Sequence, residues 1–406
     1  MKGSGRASVS RKLCGEVLWQ VVGIRRAQEK TGGIQREGSM LHVDPNENVT
    51  LRSSGRMSVY SAVRKVMLEW SAVDRRHARI AKEVVICREG IPSTLNIADI
   101  EELWSRPEFW TVMKRYCELF CHITGLILLF VVKCKHVIQG YKTPKPIAMK
   151  DEECIRYDIH IADAWLDALA KYTDRGRLSA ADVLELGPGS DLGTGLYLIS
   201  KGARTYCAID AIDLAGSVPR EFYEKLIDRI ARSSGTCRGT TTKQSLSQAM
   251  WGPKRKVDYV VNSRFDLLGS LDGRSFDIIV SNAAFEHFNN IEQALAEISA
   301  VARRGAILVC CIDLMTHTRW IRQRDPNNIY RYPDWLYGFA KFTGIPNRVR
   351  PHQYKVILEK NGWKDVVVIP DLRLYGFDAR HLAKRFRDPV NEMEFLTITI
   401  CATKAT

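Results

Sequence analysis

The segment from Asp182 to Asp210, DVLELGPGSDLGTGLYLISKGARTYCAID, constrains the fold more than any other part of the chain. It begins with a short apolar run and turns at Gly187-Pro188-Gly189. Apolar residues at helical spacing follow, and a second apolar run then stops at Asp210. This order predicts a strand, a tight turn, a helix and a parallel strand, which together make one βαβ unit of a nucleotide-binding sheet.

The glycine turn and the terminal carboxylate each have a physical role in such a unit. Gly187 and Gly189 permit a tight turn and leave the main chain open to a ligand. The helix that follows presents unpaired amide donors to the same ligand. Asp210, at the carboxyl end of the second strand, can accept hydrogen bonds from two ribose hydroxyls. A dinucleotide fingerprint is not complete, because Leu192 occupies its third glycine position and the glycine falls at Gly193.

A second block of sequence points to one particular family. The residues from Ser275 to Asn282, SFDIIVSN, predict a strand, and AAFEHF, an amphipathic helix and another apolar strand follow it. Together with E-L-G-P-G and Asp210, this block resembles class I S-adenosylmethionine-dependent methyltransferases over residues 151–315. The resemblance implies an α/β fold with a Rossmann-like sheet that is mostly parallel and has an antiparallel last strand.

The resemblance also implies S-adenosyl-L-methionine as the cofactor and a set of residues that bind it. The implied cofactor residues are Glu185, Gly187, Pro188, Gly189, Gly193, Asp210, Asp266, Asn282 and Ala283. Asp266 falls where the family recognises the adenine amino group, and Asn282 falls where it lines the methyl-transfer site. Enzymes that methylate base amines commonly carry two prolines directly after this position. Their absence here argues against amino-directed base methylation.

Methyl transfer from a sulfonium requires chiefly that the nucleophile be held close to the methyl group and that water be excluded. A base helps when the acceptor is a hydroxyl or a protonated amine. His287 is the first candidate, because histidine titrates near neutral pH and this one closely follows Asn282. Asp313 and His317 follow the next strand and are alternative catalytic candidates. All three are equally compatible with packing or with an ordinary loop role.

Net charge and cysteine pattern limit the partners and the location. The chain has 406 residues and a formal net charge of +14, which favours RNA, DNA or an anionic membrane surface. The 11 cysteines form no C-x-x-C pair and no cluster with zinc spacing, so we predict reduced thiols, a cytoplasmic location and no metal site. No RNA-binding module is recognisable, so nucleic acid is a less favoured partner.

Two regions precede the methyltransferase-like part. Residues 1–56 are basic and predict a disordered tail, whereas residues 57–150 predict a helical accessory region. The accessory region contains an apolar segment at 119–132, which is shorter than the roughly 20 residues that span a bilayer. With the lysines that follow it, the stretch 119–150 predicts either peripheral membrane contact or a buried helix.

The chain after residue 315 completes a predicted methyltransferase domain at 151–406. Residues 316–350 form an insertion that predicts a lid over the acceptor. Its aromatic and basic side chains either bind a sugar, aromatic or phosphate group or pack the lid itself. These side chains are Tyr330, Tyr332, Trp335, Arg348 and Arg350. The run from 325 to 354 resembles bacterial methyltransferases of uncharacterised acceptor that often occur near cell-envelope sugar genes.

Two further predictions concern secondary structure. The polar residues 233–256 indicate a loop or an insertion. Residues 366–369 and 395–401 predict the last two strands of the sheet, and the alternation in the second strand is typical of an antiparallel edge.

The function predicted from these observations is methyl transfer to an oxygen or nitrogen atom of a small molecule, such as a glycan or a lipid-linked precursor. One alternative is an RNA methyltransferase, which the net charge favours. The other is a binding or scaffold protein that keeps the nucleotide fold without catalysis. The intact cofactor residues argue against this second alternative.

Overall fold

A computed structural model of the chain describes residues 107–139, 150–173, 178–233 and 236–406. The predictions of a disordered tail at 1–56 and of helices between 57 and 106 lie outside the described residues. The described part contains a seven-stranded sheet with a hydrophobic core on each face.

Helices and strands alternate along most of the chain. The strands are β1 (Asp182–Leu186), β2 (Thr205–Asp210), β3 (Val257–Val261), β4 (Phe276–Asn282), β5 (Ala302–Asp313), β6 (Trp363–Arg373) and β7 (Phe395–Lys404). The α-helices are α1 (Pro107–Gln139), α2 (Asp151–Tyr172), α3 (Gly193–Ser200), α4 (Arg220–Ser233), α5 (Thr236–Trp251), α6 (Leu267–Ser270), α7 (Ile291–Val301), α8 (Arg319–Arg322), α9 (Asp334–Ala340) and α10 (Pro351–Lys360). Short 3₁₀ helices lie at Phe285–His287, Asn328–Arg331, Ala379–His381, Lys384–Phe386 and Pro389–Asn391.

The strand order in the sheet is β3-β2-β1-β4-β5-β7-β6. The strands from β3 to β5 are parallel to their neighbours, and β7 is antiparallel to both β5 and β6. The predicted Rossmann-like sheet with an antiparallel last strand is therefore confirmed. The expectation that β7 lies at the edge was wrong. β7 has a ladder on each side, and its Ile398 and Ile400 are fully buried.

Successive residues of a strand point to opposite faces of the sheet, and here both faces are covered by helices. On one face Val183 of β1 packs in a cluster with Trp165 of α2. On the other face Leu184 packs in a cluster with Leu295 of α7. Burial on both faces explains why the strands appear in the sequence as nearly continuous apolar runs.

One segment predicted as a loop is a helix. α5 occupies most of the polar stretch 233–256, and its Leu246 and Ala249 are buried on one side. Only a few apolar residues in this stretch recur at helical spacing, which is why composition indicated a loop. The packing of these few against the core is enough to select the helix.

A third hydrophobic cluster, which we call the lid cluster, lies apart from the two cores of the sheet. It combines Tyr330 and Tyr332 of the predicted lid with Leu129 of α1 and with Leu382 and Phe386, which follow β6. The insertion at 316–350 is thus packed through its own aromatic residues. It also holds α1 against the rest of the described chain.

α1 extends well beyond the apolar segment 119–132 that the sequence marks out. The helix has 33 residues, and its 22-residue part Glu118–Gln139 contains an 18-residue window with a mean hydropathy of 1.7. By length and composition alone, that part is long enough to cross a membrane. The uninterrupted apolar run at 119–132 is shorter than a bilayer span, but the helix continues beyond it through Cys134 and Val137.

Candidate functional site

The turn after β1 is closed on one side and open on the other. Gly187 has φ +71° and Gly189 has φ +79°, a left-handed conformation that other residues rarely adopt. A Cβ atom at Gly187 would lie 2.7 Å from the Cβ of Ala284, so the segment after β4 approaches the turn closely. A Cβ atom at Gly189 would have no described atom within 4 Å. The open side leaves room for a ligand against the main chain, and Pro188 lies half-buried between the two glycines.

Glu185 anchors this turn from the end of β1. Its buried carboxylate accepts hydrogen bonds from Thr194 Oγ1 at 2.6 Å and from the Tyr206 hydroxyl at 2.5 Å. Burial raises the pKa of Glu185 to about 7, although these two hydrogen bonds oppose the shift. The carboxylate therefore joins β1 to α3 and β2 behind the turn. A direct contact between Glu185 and the cofactor stays a prediction.

Asp210 ends β2 beside the glycine turn. Its carboxylate accepts a hydrogen bond from the amide of Ile212 at 3.2 Å, and the amide of Gly189 also favours its charge. Burial nevertheless raises its pKa. Because β1 and β2 are parallel neighbours, the turn and Asp210 lie at the same edge of the sheet. This is the arrangement predicted for binding a ribose.

Gly193 begins α3 in a crowded position. Its amide donates to Asp191 Oδ1 at 2.8 Å, and a Cβ atom there would lie 2.1 Å from Asp158 Oδ2. Asp158 and Asp191 are both buried, and burial raises the pKa of each. Two buried carboxyl groups in contact share a proton more readily than they both ionise. The sequence gives no sign of this pair, because its members lie on α2 and in the turn before α3.

The end of β4 carries Asn282 and Ala283 next to β1. Asn282 Nδ2 donates to the hydroxyl of Tyr157 at 3.0 Å, so α2 covers this edge of the sheet. Ala283 has φ +52°, and its amide donates to the carbonyl of Cys311 at 2.9 Å. A left-handed conformation costs a non-glycine residue about 1 kcal/mol or more, and such strain is common at functional sites.

Asp266 is exposed at the N-terminus of α6. It caps that short helix by accepting a hydrogen bond from the amide of Gly269 at 2.9 Å. The carboxylate thus has a local structural partner. Recognition of the adenine amino group by Asp266 stays a prediction.

The three predicted catalytic residues lie together at the ends of β4 and β5. The ring centroids of His287 and His317 are 4.8 Å apart. His317 Nε2 is 3.5 Å from Asp313 Oδ2, which also pairs with Arg322 at 2.5 Å. Burial opposes ionisation of Asp313, yet the hydrogen bond from His317 and the charge of Arg322 hold its pKa below the usual value. Burial and the neighbouring His317 lower the pKa of His287 to about 4.

Glu286 completes this group, although it is not among the site residues predicted from the sequence. It is buried, and neither carboxylate oxygen has a hydrogen-bond partner in the described part of the chain. One ligand atom each from Glu286, His287 and His317 lies within 4.8 Å of the others. Burial, with the charge of Asp313, raises the pKa of Glu286 well above its usual value. The signal in the sequence is the dipeptide Glu-His after one strand and a histidine after the next.

The sequence matches a known family over residues 156–368, which is more than half of the chain, and that family is described as a methyltransferase domain. The protein belongs to this methyltransferase family. With the sheet order and the glycine turn described above, it is an S-adenosylmethionine-dependent methyltransferase of class I. The predicted enzyme class is confirmed, and the scaffold alternative is wrong.

Similar solved structures are distant in sequence, and no curated protein matches. An S-adenosylmethionine-dependent methyltransferase from Archaeoglobus fulgidus is 14% identical, with 63% of this chain and 95% of that chain covered and a TM-score of 0.34. Phosphoethanolamine N-methyltransferase 2 of Haemonchus contortus, solved with S-adenosyl-L-methionine, is 12% identical. The match covers 60% of this chain and 53% of that protein, with a TM-score of 0.34. An S-adenosylmethionine-dependent methyltransferase from Mesorhizobium loti is 13% identical, with coverage of 59% and 96% and a TM-score of 0.31.

S-adenosylmethionine is the cofactor of this methyltransferase, and it supplies a methyl group on a sulfonium centre when bound. The described residues fit it, because Gly189 leaves the turn open and the half-buried Asp210 lies at the same edge. Asn282 and Ala283 lie across the turn from Asp210, since β1 separates β2 from β4. The individual cofactor contacts stay predictions.

Proposed function

We propose that this methyltransferase acts at the cytoplasmic surface of a membrane and methylates an oxygen or nitrogen atom of a lipid-linked acceptor, such as a glycan precursor. The observation that carries the acceptor class is α1, which exposes a stripe of large apolar side chains while its other face packs on the lid. The exposed side chains of this stripe are Leu119, Ile123, Ile127, Val131, Val137 and Ile138.

The packed face of α1 follows the lid from residue 121 to residue 136. Cys121 and Leu129 are buried, and a Cβ atom at Gly125 would lie 2.2 Å from Asn328 Oδ1. Asn328 Nδ2 donates to the carbonyl of Cys121 at 3.0 Å. Near the C-terminal end of α1, His136 stacks on a phenylalanine of the lid with ring centroids 4.8 Å apart. From residue 121 to residue 136, this contact extends along about 22 Å of helix.

This packing favours a helix that lies in the membrane interface over one that crosses the bilayer. If α1 crossed the hydrocarbon layer, the lid along its side would enter that layer too. The lid carries exposed charged side chains, among them Asp334 and Lys341, and moving charges into hydrocarbon is costly. An in-plane helix needs only one apolar face, which is what α1 has.

Basic and aromatic side chains next to α1 suit the same orientation. Lys384 and Arg385 are exposed in the loop whose His381 lies 3.7 Å from Glu118 of α1. Each lysine or arginine near an anionic membrane contributes about 1 kcal/mol to binding. Trp335 of α9 is also exposed, and α9 contacts α1. Tryptophan is enriched at membrane interfaces, where its ring has both apolar and polar surroundings.

The position of α1 on the lid connects the membrane to the reaction. A lipid-linked acceptor that stays in the bilayer would reach the edge of the sheet beneath the lid, where His287, Asp313 and His317 are the proposed catalytic residues. A cytoplasmic location agrees with free thiols such as those of Cys134 and Cys154.

Vesicle binding by the full-length protein tests this proposal. We expect sedimentation with vesicles that contain anionic phospholipid, and at least about tenfold weaker binding for Ile123→Ser combined with Ile127→Ser, because each loses about 1 kcal/mol of apolar burial. Val356→Ser is the matched control, because Val356 is an exposed apolar residue on α10. Calorimetric binding of S-adenosylmethionine and the helical circular dichroism should be the same in all three proteins.

Incubation with methyl-labelled S-adenosylmethionine and membrane extract then identifies the acceptor. Label in the chloroform-soluble fraction supports the proposal. Equal vesicle binding by the double variant, or label found in RNA instead of lipid, would contradict it.

A further inference from the structure

Glu286, His287 and His317 have the composition of a metal-binding site. One potential ligand atom from each lies within 4.8 Å of the others. Atoms bound to one ion at about 2.1 Å can be at most about 4.2 Å apart, so a shift of about half an ångström closes the site. The exposed position of His317 gives an ion a path from solvent.

Glu286 is the strongest single indication. It is only 2% exposed, and neither carboxylate oxygen has a partner with hydrogen-bond geometry among the described residues. The backbone amides of Glu286 and Asp313 lie near enough to favour its charge, but they do not reach that geometry. A buried carboxylate without a partner is unfavourable by several kcal/mol, and it persists where a proton or a cation compensates it. Both oxygens remain available for a ligand here.

His287 is oriented as a metal-binding histidine would be. Its ring interacts with the backbone carbonyl of Gly344, and its buried Nδ1 has no hydrogen-bond partner in the described chain. The buried Nδ1 is therefore open to a ligand. Metal-bound histidines almost always hold their second nitrogen by a carbonyl or a carboxylate in this way.

His317 has a carboxylate in the equivalent role. Asp313 Oδ2 lies 3.5 Å from His317 Nε2 and is itself fixed by Arg322 at 2.5 Å. Asp313 thus orients one nitrogen of His317 and leaves the other for a ligand. Around Glu286 the charged groups that face the cluster are Asp313, Arg322 and the two histidines.

We propose that Glu286, His287 and His317 bind one divalent transition-metal ion. Two imidazole nitrogens and one carboxylate oxygen suit ions such as zinc, cobalt or manganese better than magnesium or calcium, which prefer all-oxygen sites. Three protein ligands leave further coordination positions for water or for an oxygen atom of the acceptor.

The location of the site gives the ion a role in the reaction, and this part rests on the proposed function. The cluster follows β4 and β5 directly after Asn282, so an acceptor hydroxyl at this edge would lie near both the ion and the methyl group. A divalent ion lowers the pKa of such a hydroxyl. The hydroxyl proton passes to solvent, the oxygen forms the new bond to carbon, and the electron pair of the broken sulfur–carbon bond stays on sulfur. An oxygen acceptor is then favoured over nitrogen.

Titration of the chelator-treated full-length protein with Co²⁺ tests the site without any acceptor. We expect one ion per chain with visible d–d absorption, and at least tenfold weaker binding by Glu286→Gln and by His317→Ala. His352→Gln is the control and should bind as the original protein does. Glutamine keeps the shape of Glu286 and removes its charge, so this variant should fold. Without metal, it should unfold at a higher temperature than the metal-free original protein.

The outcomes separate the metal site from the proposed function. Absence of Co²⁺ binding, or equal binding by both variants, overturns the metal site, because any remaining ion would then be held elsewhere in the chain. Vesicle binding does not depend on the ion, so it tests the proposed membrane location separately. Loss of Co²⁺ binding in both variants, with unchanged affinity for S-adenosylmethionine, supports the metal site.

Discussion

Replacement of Arg350 by leucine tests whether the arginines of the lid hold the structure together or bind the acceptor. Arg350 is fully buried at the start of α10. Its Nε donates to the carbonyl of Asn391 at 2.9 Å, and its Nη2 donates to the carbonyls of Glu392 at 2.6 Å and Phe395 at 3.1 Å. These three bonds connect the lid to the residues that lead into β7. The side chain has no direction left in which to reach a ligand without breaking them.

The size of the effect follows from these bonds. A buried polar group that loses its partner costs about 1–3 kcal/mol, so three carbonyls would cost about 3–9 kcal/mol. Removing the buried guanidinium also removes its desolvation cost, and water can reach part of the gap, so we expect a net loss of about 3–5 kcal/mol. That is a large share of the roughly 5–15 kcal/mol by which a folded domain is stable.

Urea unfolding at pH 7, followed by circular dichroism, measures this loss, and amide hydrogen exchange at residues 389–395 locates it. Arg380→Leu is the control, because that side chain is 87% exposed, and a surface change of this kind is usually within about 0.5 kcal/mol. A variant of Arg350 that unfolds at the same urea concentration as the original protein, yet no longer transfers methyl groups, would refute the structural role and indicate acceptor binding.

Two further predictions concern the cofactor turn and the sheet. Gly187→Ala should weaken binding of S-adenosylmethionine at least about tenfold in calorimetry, because the new Cβ atom meets Ala284 at 2.7 Å. Unchanged affinity would contradict the close approach. Asp182→Asn should destabilise the protein by about 1–2 kcal/mol at pH 7. Arg204, and also Arg303, hold the pKa of Asp182 below its unfolded value, so its contribution is lost as pH falls below about 4. The urea midpoints of Asp182→Asn and of the original protein should therefore differ at pH 7 and approach each other as the pH is lowered to 2.

The cofactor half of the site could be predicted from sequence because its determinants are local. A glycine turn between two apolar runs fixes the position of Gly187, and a parallel ladder then brings Asp210 to the same edge. The catalytic half could be predicted only as candidates. His287 and His317 belong to loops after different strands, and their separation depends on how the lid and the two strands pack.

Two kinds of property were not accessible from sequence. Composition does not distinguish a buried arginine from an exposed one, and Arg348 and Arg350 are both at most 4% exposed although they look like binding residues. Composition also does not show that Tyr330 and Tyr332 are buried in the lid cluster, whereas Trp335 is exposed. The insertion of β7 between two strands depends on the whole sheet, since alternation within one strand does not report how many neighbours it has.

The lid cluster has a consequence for the order in which the chain folds. It joins residues far apart in sequence, and the hydrogen bond from the Tyr332 hydroxyl to the carbonyl of His122 closes a loop of 210 positions. Closing such a loop lowers the entropy of the chain before its contacts can compensate for the loss. We therefore expect these contacts to form late, after the sheet has aligned the segments. The same cluster should open first in native-state hydrogen exchange. A partly folded chain would then acquire its cofactor turn before it can recognise an acceptor.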